Sequence, residues 1–205
     1  MKIKVCGLFR EQDIEYVNIL KPDFVGFVFA KSKREISPNF AKTLKSRLKA
    51  SIKAVGVFLN SNMEFILHLI DSNIIDVIQF HGNEDDNFIE NLKSKRNITI
   101  IKAIKVDSVE SIIKSSTSLA DFLLFDNLKG GSGESFNWDY LSQAQKSGFK
   151  RDYFLAGGLD IDNIKEALEF KPYGIDISGG LETNGIKDFN KMKSFIHKAR
   201  GLYDK

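Results

Sequence analysis

Eight short apolar runs punctuate the chain, and longer mixed stretches separate them. The runs are KIKVCGL (2–8), DFVGFVF (23–29), SIKAVGVF (51–58), IIDVIQF (74–80), ITIIKAI (98–104), ADFLLFD (120–126), DYFLAGG (152–158) and YGIDISG (173–179). Each is rich in Val, Ile or Phe and bounded by Gly, Asp, Asn or Ser, which is the pattern of buried strands. Between the runs, apolar residues recur every three or four positions, the period of a half-buried helix. EQDIEYVNIL sets Ile14, Val17 and Leu20 on one face, and NMEFILHLI sets Phe65, Ile66, Leu69 and Ile70 on one face. DIDNIKEALEF does the same with Ile161, Ile164 and Leu168, behind an acidic first turn with Asp160 as the predicted N-cap. KMKSFIHKARGLY closes the chain as a last helix.

Alternation of β and α segments predicts a parallel sheet, and eight such units predict an α/β closed barrel, (β/α)8, with residues 1–205 forming a single domain. About 200 residues is the small end for that architecture. An open doubly wound sheet is the structural rival. Its usual fingerprint, a strand followed by G-x-G-x-x-G and a helix, is missing, and so is a G-x-x-x-x-G-K-[ST] phosphate loop.

Composition narrows the function classes. The chain is 42% hydrophobic and 28% charged, ordinary values for a globular protein. Its 30 basic and 27 acidic residues leave a net charge of +3, too mild and too dispersed for a nucleic-acid footprint. One cysteine cannot form an internal disulfide, and no Cys/His cluster has zinc spacing. The N-terminal run lacks the apolar core of a secretory signal, and nowhere do about 18 apolar residues follow one another. A cytoplasmic protein with no membrane partner is therefore expected, and the Asn97-Ile98-Thr99 sequon is read as chance.

In a barrel the chemistry belongs at the C-terminal ends of the strands and in the loops that follow. Side-chain alternation along the first run turns Lys4 and Cys6 inward and Ile3 and Val5 toward the helices. A lone cysteine is ordinarily a small buried hydrophobe. Cys6 becomes a base only in a positive or polar environment, which Lys4 would supply unless it pairs with a carboxylate inside the barrel. Asp126 ends the sixth run. Three glycines in four positions follow it (Gly130, Gly131, Gly133), a composition suited to close approach or mobility. A partly buried carboxyl at Asp126 is suited to hold and donate a proton. Gly157 and Gly158 follow the seventh run, and Ser178, Gly179 and Gly180 follow the eighth. Glycines there let backbone N–H groups face an anion, in the two loops where barrels commonly bind phosphate. The basic loop AKSKREISP reads mostly as solvated, but Arg34 offers a planar fork for a carboxylate. Gln79 and His81 share a parity that turns both inward, and His81 is given a supporting role. His68 and His197 sit on helical surfaces, Trp138 reads as a packing anchor, and three scattered histidines argue against a metal-dependent sugar-phosphate epimerase.

Together, KVCGL with Asp13 further on, DFVGFVFAKSKREISP, VGVF, IQFHGNE, FLLFDNLKGGSGESFNW, LAGGLD and DISGGLETNGIKD resemble the phosphoribosylanthranilate isomerase family of tryptophan biosynthesis, across nearly the whole chain. The resemblance implies a (β/α)8 barrel and an Amadori rearrangement of N-(5-phosphoribosyl)anthranilate to 1-(2-carboxyphenylamino)-1-deoxyribulose 5-phosphate. It implies that Asp126 is the general acid and Cys6 the general base, and that Arg34 holds the anthranilate carboxylate. Gly157, Gly158, Ser178 and Gly179 match the phosphate grip, with Asp176 nearby and His81 in support. A small phosphorylated substrate, no cofactor, no metal and a monomeric chain are the accompanying expectations. Three departures stand out: Phe9 in place of a small polar residue, Gly179 in place of a second serine, and Glu134-Ser135 shortening the glycine-rich loop. Two rivals remain at this point. A histidine-pathway aminoaldose isomerase would carry a carboxylate where Cys6 stands, and a non-catalytic phosphate-binding barrel would need neither Cys6 nor Asp126.

Overall fold

The computed structural model describes residues 1–127 and 135–203. Eight parallel strands follow one another in hydrogen-bonded order and the order closes, so the fold is a (β/α)8 barrel. The strands are β1 (Lys2–Cys6), β2 (Phe24–Val28), β3 (Lys53–Phe58), β4 (Val77–Phe80), β5 (Thr99–Lys105), β6 (Phe122–Asp126), β7 (Tyr153–Leu155) and β8 (Gly174–Ile177). Each lies within or one residue beyond its apolar run. The helices are α1 (Glu11–Leu20), α2 (Pro38–Arg47), α3 (Met63–Asp71), α4 (Asp86–Lys95), α5 (Val109–Ser115), α6 (Asp139–Lys146), α7 (Ile164–Glu169) and α8 (Phe189–Tyr203). The chain divides into two compact units. One comprises Met1–Lys4, Ala103–Ser118 and Phe122–Lys205, and the other Val5–Lys102 and Leu119–Asp121.

In the unit built on Val5–Lys102, β2, β3 and β4 pair in register, Val25 with Ala54 and Val57 with Gln79. Aspartates fix the strand entrances. Asp76 Oδ2 accepts from Ala54 N at 2.7 Å and is also paired with Lys45, and Asp121 Oδ2 accepts from Ile100 N at 2.8 Å. The same carboxylate therefore ties the start of one strand to the next. A chain of rings fills the interior, with Phe29 stacked on Phe58 at 5.5 Å and Phe80 edge-on to Phe88 at 5.5 Å. Ring pairs in these geometries add to the stabilisation from area burial alone.

In the other unit, β6, β7 and β8 pair through Leu124 with Phe154 and Leu155 with Ile175. Phe122, Phe154 and Tyr173 pack as one aromatic cluster. Burial pushes the Tyr153 phenol well above its usual range, while its hydroxyl donates to Phe170 O at 2.7 Å. Trp138 is buried against the Phe170 ring, the packing role its sequence position suggested.

One helix start differs from expectation. Asp160 does not cap α7, because the helix begins at Ile164 with Asn163 before it. Asp160 instead closes its own turn, its Oδ1 accepting from the N–H groups of Asp162 and Asn163. Asn163 makes no side-chain cap, and its Oδ1 accepts from Asp160 N at 3.0 Å, so both side chains serve the turn rather than the helix start. The shift leaves Ile161 outside the helix and 36% exposed, not on the buried face.

Candidate active site

Asp126 is the last residue of β6 and is half-buried. Its main-chain oxygen accepts from Val106 N at 3.0 Å. Gly157 lies against its carboxyl group. A Cβ built at Gly157 would stand 2.8 Å from Asp126 Oδ1, and φ there is +80°. The positive φ favours glycine, so the loop after β7 passes the Asp126 carboxyl group with bare backbone. Gly158 also has positive φ, and its carbonyl accepts from Asn163 Nδ2 at 2.8 Å, which locks the turn.

The loop after β8 meets that turn backbone to backbone. A Cβ at Gly180 would lie 2.1 Å from Leu159 O. The two glycine loops predicted to share an anion are thus in contact, and a side chain at position 180 would force them apart. Ser178 is half-buried, whereas Gly179 and Gly180 are exposed.

Lys4 is fully buried, and its Nζ donates to both oxygens of Asp176 at 2.9 Å. Of the two readings of Lys4, pairing with an interior carboxylate is the one the structure shows. Each oxygen of Asp176 thus accepts from the same ammonium.

Sequence reasoning passed over a hairpin. Glu182–Thr183 (β9) and Ile186–Lys187 (β10) pair antiparallel around Asn184-Gly185, both with positive φ. Asn-Gly is the preferred pair for such a two-residue turn, so the signal was present in ETNGIKD. The hairpin delivers Lys187 to the β8 loop. Its buried Nζ donates to Glu182 Oε1 at 2.6 Å, Ser178 O at 3.1 Å and Ser178 Oγ at 3.3 Å.

The unit built on Val5–Lys102 carries the remaining candidates. Cys6 ends β1 and is half-buried. Gly7, at φ +77°, turns the chain away and donates to Gly26 O at 3.0 Å. Phe9 does not disorganise this loop. Its N–H and that of Arg10 both donate to the buried Asp13 carboxylate at 3.1 Å. Arg34 is half-buried between the exposed Lys31 and Lys33, and Ser32 Oγ accepts from its main-chain N–H at 3.2 Å. A groove of about 540 Å³ lined by Phe29, Glu35, Ile36 and Phe65, among others, flanks this loop, and its lining includes none of the predicted site residues.

Gln79 is 1% exposed, and its Nε2 lies 3.3 Å from His81 Nδ1. The loop after β4 is knitted by Glu84, which accepts from Asn60 N at 2.6 Å and Gly82 N at 3.0 Å. Lys102 Nζ donates to Gly82 O at 2.6 Å and reaches Glu84 at 3.4 Å. Burial lowers the Lys102 pKa, and the Glu84 carboxylate works in the opposite direction. Nothing in the sequence pattern singled out Lys102 or Glu84. His68 and His197 are exposed on their helices, as expected. Gly130, Gly131, Gly133 and Glu134 lie outside the described residues. Among the described residues, no three or more His, Cys, Asp or Glu side chains are grouped to hold a metal ion, and no helix is long and apolar enough to cross a membrane.

Comparison with known proteins bears on the fold and the family. The N-(5'-phosphoribosyl)anthranilate isomerase of Thermoanaerobacter sp. (strain X514) is 46% identical over 209 residues, covering 98% of this chain and 99% of that protein. The crystal structure of phosphoribosyl anthranilate isomerase from Thermus thermophilus superposes with a TM-score of 0.88 at 29% identity, over 98% of this chain and 100% of that one. A phosphoribosyl anthranilate isomerase solved in complex with reduced 1-(o-carboxyphenylamino)-1-deoxyribulose 5-phosphate matches at TM-score 0.85 and 29% identity, over 98% and 99% of the two chains. The family model for N-(5'-phosphoribosyl)anthranilate isomerase matches residues 3–198, and the chain belongs to that family.

Proposed function

We propose that this isomerase converts N-(5-phosphoribosyl)anthranilate to 1-(2-carboxyphenylamino)-1-deoxyribulose 5-phosphate with Asp126 as general acid and Cys6 as general base. Asp126 protonates the ribose ring oxygen, and the ring opens to an iminium. The iminium acidifies the sugar C2 proton, so a modest base suffices. Cys6, as thiolate, removes that proton, and the resulting enolamine tautomerises to the ketone. Proton transfers of this kind need the two groups held within hydrogen-bond reach of the sugar, and anchoring both ends of the substrate supplies that geometry.

The observation that carries the reading is the contact of the Asp126 carboxyl with Gly157, which puts the acid beside the first glycine of the proposed phosphate grip. Gly157, Gly158, Ser178 and Gly179 hold the phosphate, and backbone donors replace the hydroxyl that Gly179 lacks. Asp176 serves through its pair with Lys4, since a carboxylate repels a phosphate unless its charge is matched. Arg34 grips the anthranilate carboxylate, with His81 in support. One domain and one chain supply every residue named, which is why a monomer is expected. A cytoplasmic location fits a small phosphorylated substrate.

The test follows loss of the fluorescent anthranilate-ribose substrate with purified protein. Turnover is expected, and an inactive, folded protein would overturn the proposal. Arg34→Ala is expected to raise KM about tenfold to a hundredfold, the range for losing a charged hydrogen-bonded anchor, with a smaller change in kcat. An unaltered KM would place Arg34 outside the site.

A further inference from the structure

The buried ammonium of Lys187 is unused by the chemistry above, and it donates to Glu182 Oε1, Ser178 O and Ser178 Oγ. Its side chain is 0% exposed and that of Glu182 is 5% exposed. Glu182 is further tied down because its main-chain oxygen accepts from Lys191 Nζ at 2.7 Å. An ion pair this deep is expensive to desolvate, and replacing such a pair with apolar residues is often neutral for stability. Its place at the base of the β8 loop therefore suggests a purpose other than stability.

We propose that Lys187 is a positioning residue that prepares Ser178 for the substrate phosphate. This inference rests on the phosphate reading of the Ser178–Gly179 loop. A lysine can only donate, so its bond to Ser178 Oγ occupies an acceptor site on that hydroxyl. The hydroxyl proton is then left to point away from Lys187, toward the anion. Donation from a cation also polarises the hydroxyl and strengthens the hydrogen bond it makes onward. The bond to Ser178 O holds the backbone of the same residue, and the Glu182 carboxylate pairs with the ammonium at 2.6 Å. The polarised Ser178 hydroxyl then acts alongside the backbone donors of the Gly179 loop.

The test compares competitive inhibition by inorganic phosphate in wild type, in Lys187→Met/Glu182→Leu, in Ser178→Ala and in the triple variant. The double replacement removes both buried charges together, so the fold is expected to persist with a near-wild-type melting temperature. Phosphate inhibition should weaken about tenfold in the double variant and in Ser178→Ala, as for loss of a charge-assisted hydrogen bond. The triple variant should be little weaker than Ser178→Ala alone, because Lys187 acts through that hydroxyl. Unchanged phosphate inhibition in the double variant would overturn the role of Lys187 and leave the phosphate site standing, and so would full additivity in the triple variant. If the double variant fails to fold, Ser178→Ala still decides: undiminished phosphate inhibition there removes the hydroxyl that Lys187 is said to prepare. Absence of competitive phosphate inhibition in wild type would remove the phosphate reading itself, and this inference with it.

Discussion

Asp126→Asn is expected to lower kcat by about 10²- to 10⁴-fold while the protein folds normally. The amide matches the carboxyl in size, so the close fit against Gly157 survives the change. What is lost is the proton. An amide N–H cannot protonate a leaving ring oxygen, and the substrate must then open its ring without an acid. KM should move much less, because the anchors at the two ends of the substrate are untouched. Steady-state rates from the fluorescence assay check this, and a kcat within a few-fold of wild type would remove Asp126 from its role.

Lys4→Met is expected to have the largest effect on stability. The lysine is fully buried, and both oxygens of Asp176 depend on it at 2.9 Å. Removing one partner of such a pair strands the other charge, at a loss of about 3–5 kcal/mol. A chain of this size has roughly 5–15 kcal/mol to lose, so much of its stability disappears. The melting temperature should fall by about 6–20 °C. Lys4→Met combined with Asp176→Leu should recover most of that loss, because no unpaired charge then remains in the interior. Denaturant titration of the three proteins separates the cases. A Lys4→Met protein within about 1 kcal/mol of wild type would mean that the pair is dispensable.

The barrel was legible because its signals are local. Short apolar runs bounded by turn residues mark all eight strands, and three- or four-residue periodicity marks the helices between them, without reference to anything distant. The strand-end positions of Cys6 and Asp126 were legible for the same reason, since Asp126 closes its run and its strand, and Cys6 closes its strand just before Gly7. What escaped depends on partners far along the chain. The inward turn of Lys4 was legible, but its partner was not: the carboxylate it meets is Asp176, 172 residues away. Lys187 and Lys102 are likewise explained only by the Glu182 and Glu84 carboxylates that the fold brings to them. Gly180 was placed in the anion loop, but its closeness to Leu159 O, which excludes a side chain there, was not legible. Asp160 was expected to cap α7, but it closes the turn just before it, and the helix begins at Ile164 behind Asn163.

The central claim is that one carboxylic acid and one thiol address a single ribose from opposite sides. A crystal structure of this protein with reduced 1-(o-carboxyphenylamino)-1-deoxyribulose 5-phosphate measures it directly, a ligand with which one relative has already been solved. The expected result has the Asp126 carboxyl within about 3.2 Å of the oxygen that closed the ring, and the Cys6 sulfur in contact with C2 on the other face. A bound sugar with either group turned away, or with another side chain in its place, would contradict the account.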